Sequence, residues 1–326
     1  MKDFTGKIAV VTGGGTGMGR ELVGQLAAAG CHVAMCDVSA ENMAESRDLA
    51  LAGAPAGTRV TTQLCDVSVE SQVVAFQQAV AAEFGPAVNL LFNNAGIGGG
   101  GSFVADDRAS WEKTFGVCWF GVYYCSRAFM PMLIAADEAH LINTSSVNGF
   151  FASLGPHTSH TAYSAAKFAV KGFSEALITD LRLNAPHVKV SVVMPGHIGT
   201  SIVINSAKVL GGASGHEMSD EQVRAVRERW MNAGVAGAEE LMNLSDDQIR
   251  EMLHQQAIGF RDNAPTSAAS AASMMLDAVR NEKWRVLLGE DAHALDQVVR
   301  ANPEQAYDPD FWQKLQEDKI LGFADR

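Results

Sequence analysis

The sequence is short of positive charge. Its 326 residues hold 25 Lys and Arg against 37 Asp and Glu, a formal net charge of −12, and the cations are scattered. A nucleic-acid binder neutralises phosphates with clustered Lys and Arg, so no nucleic-acid partner is expected. Long apolar runs are also missing. No stretch approaches ~18 uncharged apolar residues, and no membrane span is expected. The chain opens Met1-Lys2-Asp3-Phe4 and enters a strand-like run within a few residues, so no signal peptide is expected. Cysteine is scarce. Cys31, Cys36, Cys65, Cys118 and Cys125 form no C-x-x-C pair and no zinc spacing, so no metal site is expected. An odd count in an unexported chain points to reduced thiols and a cytoplasmic location. Internal repeats, low-complexity tracts and linkers are absent, which favours one elaborated domain over residues 1–326. At 47 % hydrophobic residues the chain is too apolar for disorder.

What is present is alternation. Short apolar runs at Ile8–Val11, His32–Cys36, Val60–Leu64, Val88–Phe92, His140–Thr144 and Val188–Val193 are separated by helical patterns of ten or more residues. Strands alternating with helices predict βαβ units, hence an α/β fold with a doubly wound parallel sheet. The stretch 201–263 changes character, with glycines and then charged helical patterns at Asp220–Ala233 and Asp246–Phe260. It reads as a helical insertion over the sheet's carboxyl edge. Helix resumes over Thr266–Asn281, a last strand follows at Trp284–Leu288, and the chain ends in a helical tail carrying Trp312 and Phe323.

The first strand runs into Thr12-Gly13-Gly14-Gly15-Thr16-Gly17-Met18-Gly19 and a helix. Glycines permit a tight turn and close approach to a pyrophosphate, and the helix N-terminus offers free N–H groups. Asp37 closes the second strand, where a carboxylate can accept from a ribose diol and would repel a 2′-phosphate. No Lys or Arg stands at Val38 or Ser39. NAD is therefore expected over NADP.

Three further motifs follow in order: Asn93-Asn94-Ala95-Gly96, Tyr163-Ser164-Ala165-Ala166-Lys167, and Pro195-Gly196-His197-Ile198-Gly199-Thr200. With the glycine turn, this set resembles the compact single-domain branch of the short-chain dehydrogenase/reductase family, over roughly residues 7–200. The resemblance implies a Rossmann-type sheet and a nicotinamide-dependent oxidoreductase acting on an alcohol or ketone. It places the cofactor on the glycine turn (Gly13, Gly15, Thr16, Gly17, Met18, Gly19), on Asp37, and on Asp66 and Val67 beside the adenine. Asn93, Ala95 and Gly96 stand next to the cofactor in that comparison, as do Tyr163 and Lys167. Pro195, Gly196, Ile198 and Thr200 complete the set, Thr200 holding the carboxamide. Ser146, rather than its neighbour Ser145, matches the serine that hydrogen-bonds the substrate oxygen.

Tyr163 and Lys167 at i and i+4 share one helical face. A free phenol, with a pKa of about 10, is a poor base at neutral pH. A nearby ammonium together with an oxidised nicotinamide would lower it, and in the reverse direction Tyr163 would protonate a carbonyl. One position departs from the family. The asparagine expected in the helix after Asn93–Gly96 is Cys118, and a thiol lacks an amide's hydrogen-bonding geometry, which puts the usual proton relay in question. His157, His160 and His197 are expected near the cleft, with Phe150, Phe151 and Ile202 as wall residues. The run Gly98–Gly101 reads as a flexible loop at the mouth. The expected substrate is a bulky, largely apolar secondary alcohol or ketone under a lid formed by 201–263. The alternatives are an NAD-binding sensor or scaffold without turnover, or an isomerase or dehydratase using bound NAD. Relatives assemble through long helices corresponding to Asp106–Ala136 and Thr161–Asn184, which implies a homodimer or homotetramer.

Overall fold

Strand-forming runs rich in Val, Ile and Leu build a buried parallel sheet. The computed structural model describes residues 1–155, 158–232, 241–318 and 320. The first half runs β1 (Ile8–Thr12), α1 (Gly17–Ala28), β2 (His32–Asp37), α2 (Ala40–Ala52), β3 (Val60–Leu64), α3 (Glu70–Phe84) and β4 (Leu90–Asn93). Next come α4 (Arg108–Phe115), a π-helical segment (Gly116–Phe120), α5 (Gly121–Ala135), β5 (Ala139–Thr144), α6 (Thr161–Asn184) and β6 (Val188–Pro195). After β7 (Ile198–Gly199) the insertion carries α7 (Ile202–Val209), α8 (Asp220–Asn232) and α9 (Asp246–Asp262). The chain closes with β8 (Thr266–Ser267), α10 (Ala268–Arg280), β9 (Arg285–Leu288), α11 (Glu290–Ala301) and α12 (Pro309–Glu317).

The seven-stranded sheet has the order β3-β2-β1-β4-β5-β6-β9, parallel throughout. Successive β1 side chains point to opposite faces, so Val11 joins the core against α1 and α10 while Val10 joins the core against α3 and α5. The winding reverses between β1 and β4, which opens a crevice at their carboxyl ends.

Several elements differ from the sequence reading. Thr266 and Ser267 form a short parallel ladder with Ile198 and Gly199 instead of starting a helix. Ser267 then caps α10 by accepting from the Ser270 N–H. The long helix expected over 106–136 is broken by the π-helical segment. The run Arg108–Ala135 is long and apolar enough to cross a membrane by composition, yet half of its most apolar window is packed inside the protein. Within 201–263, α7 went unanticipated, residues 233–240 lie outside the described residues, and α9 begins with a Ser245–Gln248 capping box. Two arginines tie α8 to α9. Arg227 reaches Asp246 at 2.6 Å, and Arg250 reaches Asp220 at 2.5 Å. The helical tail packs on its own chain: Phe311 and Leu315 join Val147, Phe151, Ala292 and Leu295 in a third cluster. His157 and Phe323 lie outside the described residues.

Candidate active site

The glycine turn is shaped by what surrounds it. Gly13 and Gly17 hold φ of +67° and +54°, a region that favours glycine. A Cβ at Gly13 would stand 2.8 Å from Ala95 Cα, and one at Gly19 would stand 1.9 Å from the Gly13 carbonyl oxygen. The turn can therefore be built only without side chains at these points, which leaves its backbone open to a ligand. Arg20 and Ser46 both donate to the Gly15 carbonyl, fixing the turn from behind. Two residues that the sequence reading passed over join β1 to β4. The Thr12 hydroxyl accepts from the Asn94 and Ala95 N–H groups at 3.0 Å each. The Asn94 side chain donates back to the Thr12 carbonyl at 3.1 Å. Asn94 stands inside a quoted motif, so the signal was there to be read.

A cleft of about 840 Å³ lies above this turn. Of the residues assigned to the cofactor, Gly13, Thr16, Gly17, Met18, Asp37, Asp66, Val67, Ala95, Gly96 and Thr200 line it. Gly15 and Gly19 sit in the body of the turn. Asn93 lies below the cleft, where its side chain donates to Asn143 at 2.8 Å and Ser126 at 2.9 Å and so pins β4 to β5. Pro195 pairs with Leu288 across the β6–β9 ladder, and Ile198 is buried in β7. Gly196 is a glycine for a local reason: a Cβ there would meet the Asp291 carboxylate at 2.3 Å. Asp291 accepts from the His197 N–H at 2.6 Å and so holds the Pro195–Thr200 loop against α11. Burial raises the Asp291 carboxyl above its ordinary range, against the hydrogen bond from His197.

Asp37 accepts from the Gly15 N–H at 3.0 Å and the Ser39 N–H at 3.1 Å, so it shapes the turn as well as facing the cleft. Asp66 is held by Lys113 and Ser68. Burial alone would raise the Asp66 carboxyl, but the Lys113 and Ser68 bonds reverse that and leave it below the ordinary range. Lys113 also lines the cleft, a placement that nothing in the sequence announced. The open glycine turn, the carboxylates beyond it and the size of the cleft together fit a dinucleotide.

Ser146, Tyr163 and Lys167 are not among the residues that line this cleft; the Y-x-x-x-K element stands beside it, next to Gly96. The Lys167 ammonium lies 5.3 Å from the centre of the Tyr163 ring and donates to the Thr144 carbonyl at 2.9 Å. It is also 3.5 Å from where a Cβ of Gly96 would be, so the lysine borders the cleft through a glycine. Burial raises the Tyr163 phenol above its ordinary range, Cys118 adds to that, and the Ser146 hydroxyl facing the phenol works the other way. Burial lowers Lys167. With burial as the largest influence, the phenol stands above its ordinary range despite the nearby ammonium; the expected lowering called for an oxidised nicotinamide as well. The two serines separate cleanly. Ser145 is buried and donates to the Lys167 carbonyl at 2.7 Å, whereas Ser146 faces Tyr163 and caps a short turn through the Asn148 N–H.

Cys118 sits in the π-helical segment, fully buried, with its thiol donating to the Ile97 carbonyl at 3.1 Å. His160 packs its ring 4.6 Å from that of Tyr163, and burial lowers its pKa to about 4, so it is neutral at physiological pH. His197 packs its ring 4.3 Å from that of Phe260 and bonds the Phe260 carbonyl at 2.7 Å, a packing role. Ile202 lines the cleft, while Phe151 is buried behind the wall against Tyr307 and Phe311. The Gly98–Gly101 run is tied down. Gly98 donates to Ser206 at 2.8 Å, and the Gly100 and Gly101 carbonyls accept from Ala162 and Thr161.

The chain is similar to known proteins over most of its length. Residues 7–210 match the model of the short chain dehydrogenase family. Levodione reductase of Leifsonia aquatica is 30 % identical over 249 residues, 75 % of this chain and 89 % of that protein. The crystal structure of a short-chain dehydrogenase/reductase from Burkholderia phymatum, in complex with NAD, superposes with a TM-score of 0.74 at 28 % identity, covering 95 % of this chain and 98 % of that one. A metagenomic short-chain oxidoreductase in complex with NADP superposes with a TM-score of 0.53 at 32 % identity, over 59 % of this chain and 83 % of its own.

Proposed function

The chain belongs to the short-chain dehydrogenase family of NAD(P)-binding oxidoreductases, and on that premise we propose that it moves a hydride between NAD and a bulky, largely apolar secondary alcohol or ketone. The observation that carries this reading is the meeting of two sites at Gly96. That residue lines the dinucleotide cleft, and Lys167 stands 3.5 Å from the position of its absent Cβ. The bound nicotinamide would accept or supply the hydride and, when oxidised, add a positive charge. The chain's own groups handle the proton and the substrate. Ser146 orients the substrate oxygen, Tyr163 takes or gives its proton at the phenolic oxygen, and Lys167 favours the phenolate.

Asp37 and Glu41 both face the ribose end of the cleft, and a 2′-phosphate there would meet two carboxylates; this supports NAD over NADP. Ile97, Val117, Ile202, Ile204 and Val209 make much of the remaining lining apolar, which supports a hydrophobic substrate. The same reading takes the 201–263 insertion as a lid, the protein as a cytoplasmic homodimer or homotetramer, and neither nucleic acid nor membrane as a partner. The test is Tyr163→Phe assayed with NADH and a panel of hydrophobic ketones. Turnover should fall about 100-fold or more while NADH binding stays within twofold. Turnover equal to wild type would overturn the acid–base assignment.

A further inference from the structure

The insertion brings two cations to the cleft that the mechanism above does not use. Helix α7 is docked across the glycine turn: the Asn205 side chain donates to the Thr16 hydroxyl at 3.0 Å, and the next residue, Ser206, accepts from the Gly98 N–H at 2.8 Å. Lys208 lies three residues beyond Asn205, hence on the same helical face, and lines the cleft. Its ion-pair partner is Glu217 at 3.9 Å, with both side chains more than half exposed, at 57 % and 63 %. Such a pair commits the lysine weakly.

Arg261 ends α9 and lines the same cleft. Its carbonyl oxygen lies 2.6 Å from where a Cβ of Gly199 would stand, so it is seated on the loop carrying Thr200. Thr200 in turn touches the glycine turn, with its methyl 3.1 Å from a would-be Cβ of Gly17. The guanidinium pairs through Nε and Nη2 with the adjacent Asp262, which leaves Nη1 without a hydrogen-bond partner among the described residues.

The other charges facing the cleft are Asp37, Glu41 and the mutually paired Asp66 and Lys113. A protein of net charge −12 repels an anionic ligand at long range, so local cations weigh heavily at the entrance. We propose that Lys208 and Arg261 form a cationic clamp on the diphosphate of the bound dinucleotide, opposite the N–H groups of the glycine turn. The clamp rests on the dinucleotide reading above and deepens it. One wall supplies backbone donors, the other supplies charge, and diphosphate binding ties α7 and the end of α9 to the glycine turn.

The experiment is equilibrium titration of the full chain with NADH, NADPH, ADP and adenosine, without turnover, at low and high salt. Lys208→Gln and Arg261→Gln should each weaken NADH and ADP about threefold, and the double variant about tenfold. Adenosine affinity should be unchanged, and the salt dependence of NADH binding should flatten. Lys208→Arg and Arg261→Lys should restore ADP affinity. Unchanged ADP affinity in the double variant overturns the clamp. So does an equal loss of adenosine, which would mean a collapsed site, or a larger loss for NADPH than for NADH, which would put the cations on a 2′-phosphate. Failure of the wild type to bind both NADH and ADP would instead strike the dinucleotide reading itself.

Discussion

The ammonium of Lys167 is anchored on the carbonyl of Thr144, the last residue of β5, at 2.9 Å. The lysine is 2 % exposed. The charge beside Tyr163 is thus held by the sheet as well as by the helix that carries both residues. Its position is fixed by a backbone carbonyl.

Lys167→Met keeps the volume and removes the charge. The phenol already stands above its ordinary range through burial, so losing the cation raises it further. Alcohol oxidation needs the phenolate and gains rate as pH rises. In the variant the rising limb of the pH–rate profile should move up by about one unit or more. An unmoved limb would show that the ammonium does not tune the phenol.

Cys118→Asn places an amide where the thiol meets the Ile97 carbonyl. An amide can donate to that carbonyl and accept elsewhere, so turnover should be similar or higher. Cys118→Ala should cost about 1 kcal/mol of stability through the lost hydrogen bond. A collapse of turnover in the asparagine variant would reveal a role for the thiol in the chemistry.

Two glycines of α1 should respond in opposite ways. Gly19→Ala drives a methyl to 1.9 Å from the Gly13 carbonyl oxygen and must deform the turn. NADH binding should fall at least tenfold. At Gly24 a Cβ meets nothing within 4 Å. Gly24→Ala in that helix interior should stabilise the protein by about 0.5–1 kcal/mol, read as a rise in Tm with unchanged NADH affinity.

Asp296 governs part of the acid stability. Burial works to raise its carboxyl, but Arg300 at 2.9 Å and Arg285 outweigh it and hold the group below the ordinary range. A depressed folded pKa contributes stability above the unfolded value of about 4 and loses it as pH falls through the folded value. Asp296→Asn should therefore lower Tm at pH 7 and reduce the further loss as pH falls below about 4. Parallel Tm–pH curves for the two proteins would refute this.

Phe311 anchors the tail on the loop that follows Ser146. Its ring packs 5.9 Å from that of Phe151, which continues that loop. Phe311→Ala should cost about 3 kcal/mol. The loosened loop should raise KM for a bulky ketone while leaving NADH affinity within twofold. An unchanged KM would detach the tail from the substrate wall.

The alternation of apolar runs and helical patterns was enough to establish a parallel sheet. The glycine turn was equally legible, because a strand, a tight turn and a helix N-terminus are contiguous and their physics is local. The pairing of Tyr163 with Lys167 follows from helical periodicity, and the odd residue Cys118 can be placed from its neighbours alone. Tertiary structure decided what depended on distant partners. Ser145 and Ser146 look alike in sequence and part only because Lys167 offers its carbonyl to one and Tyr163 faces the other. Thr266 left a helical pattern because Ile198, far away in the chain, offered a parallel edge. The upward pull on the Tyr163 phenol comes from desolvation, a property of the packed site about which spacing along a helix carries no information.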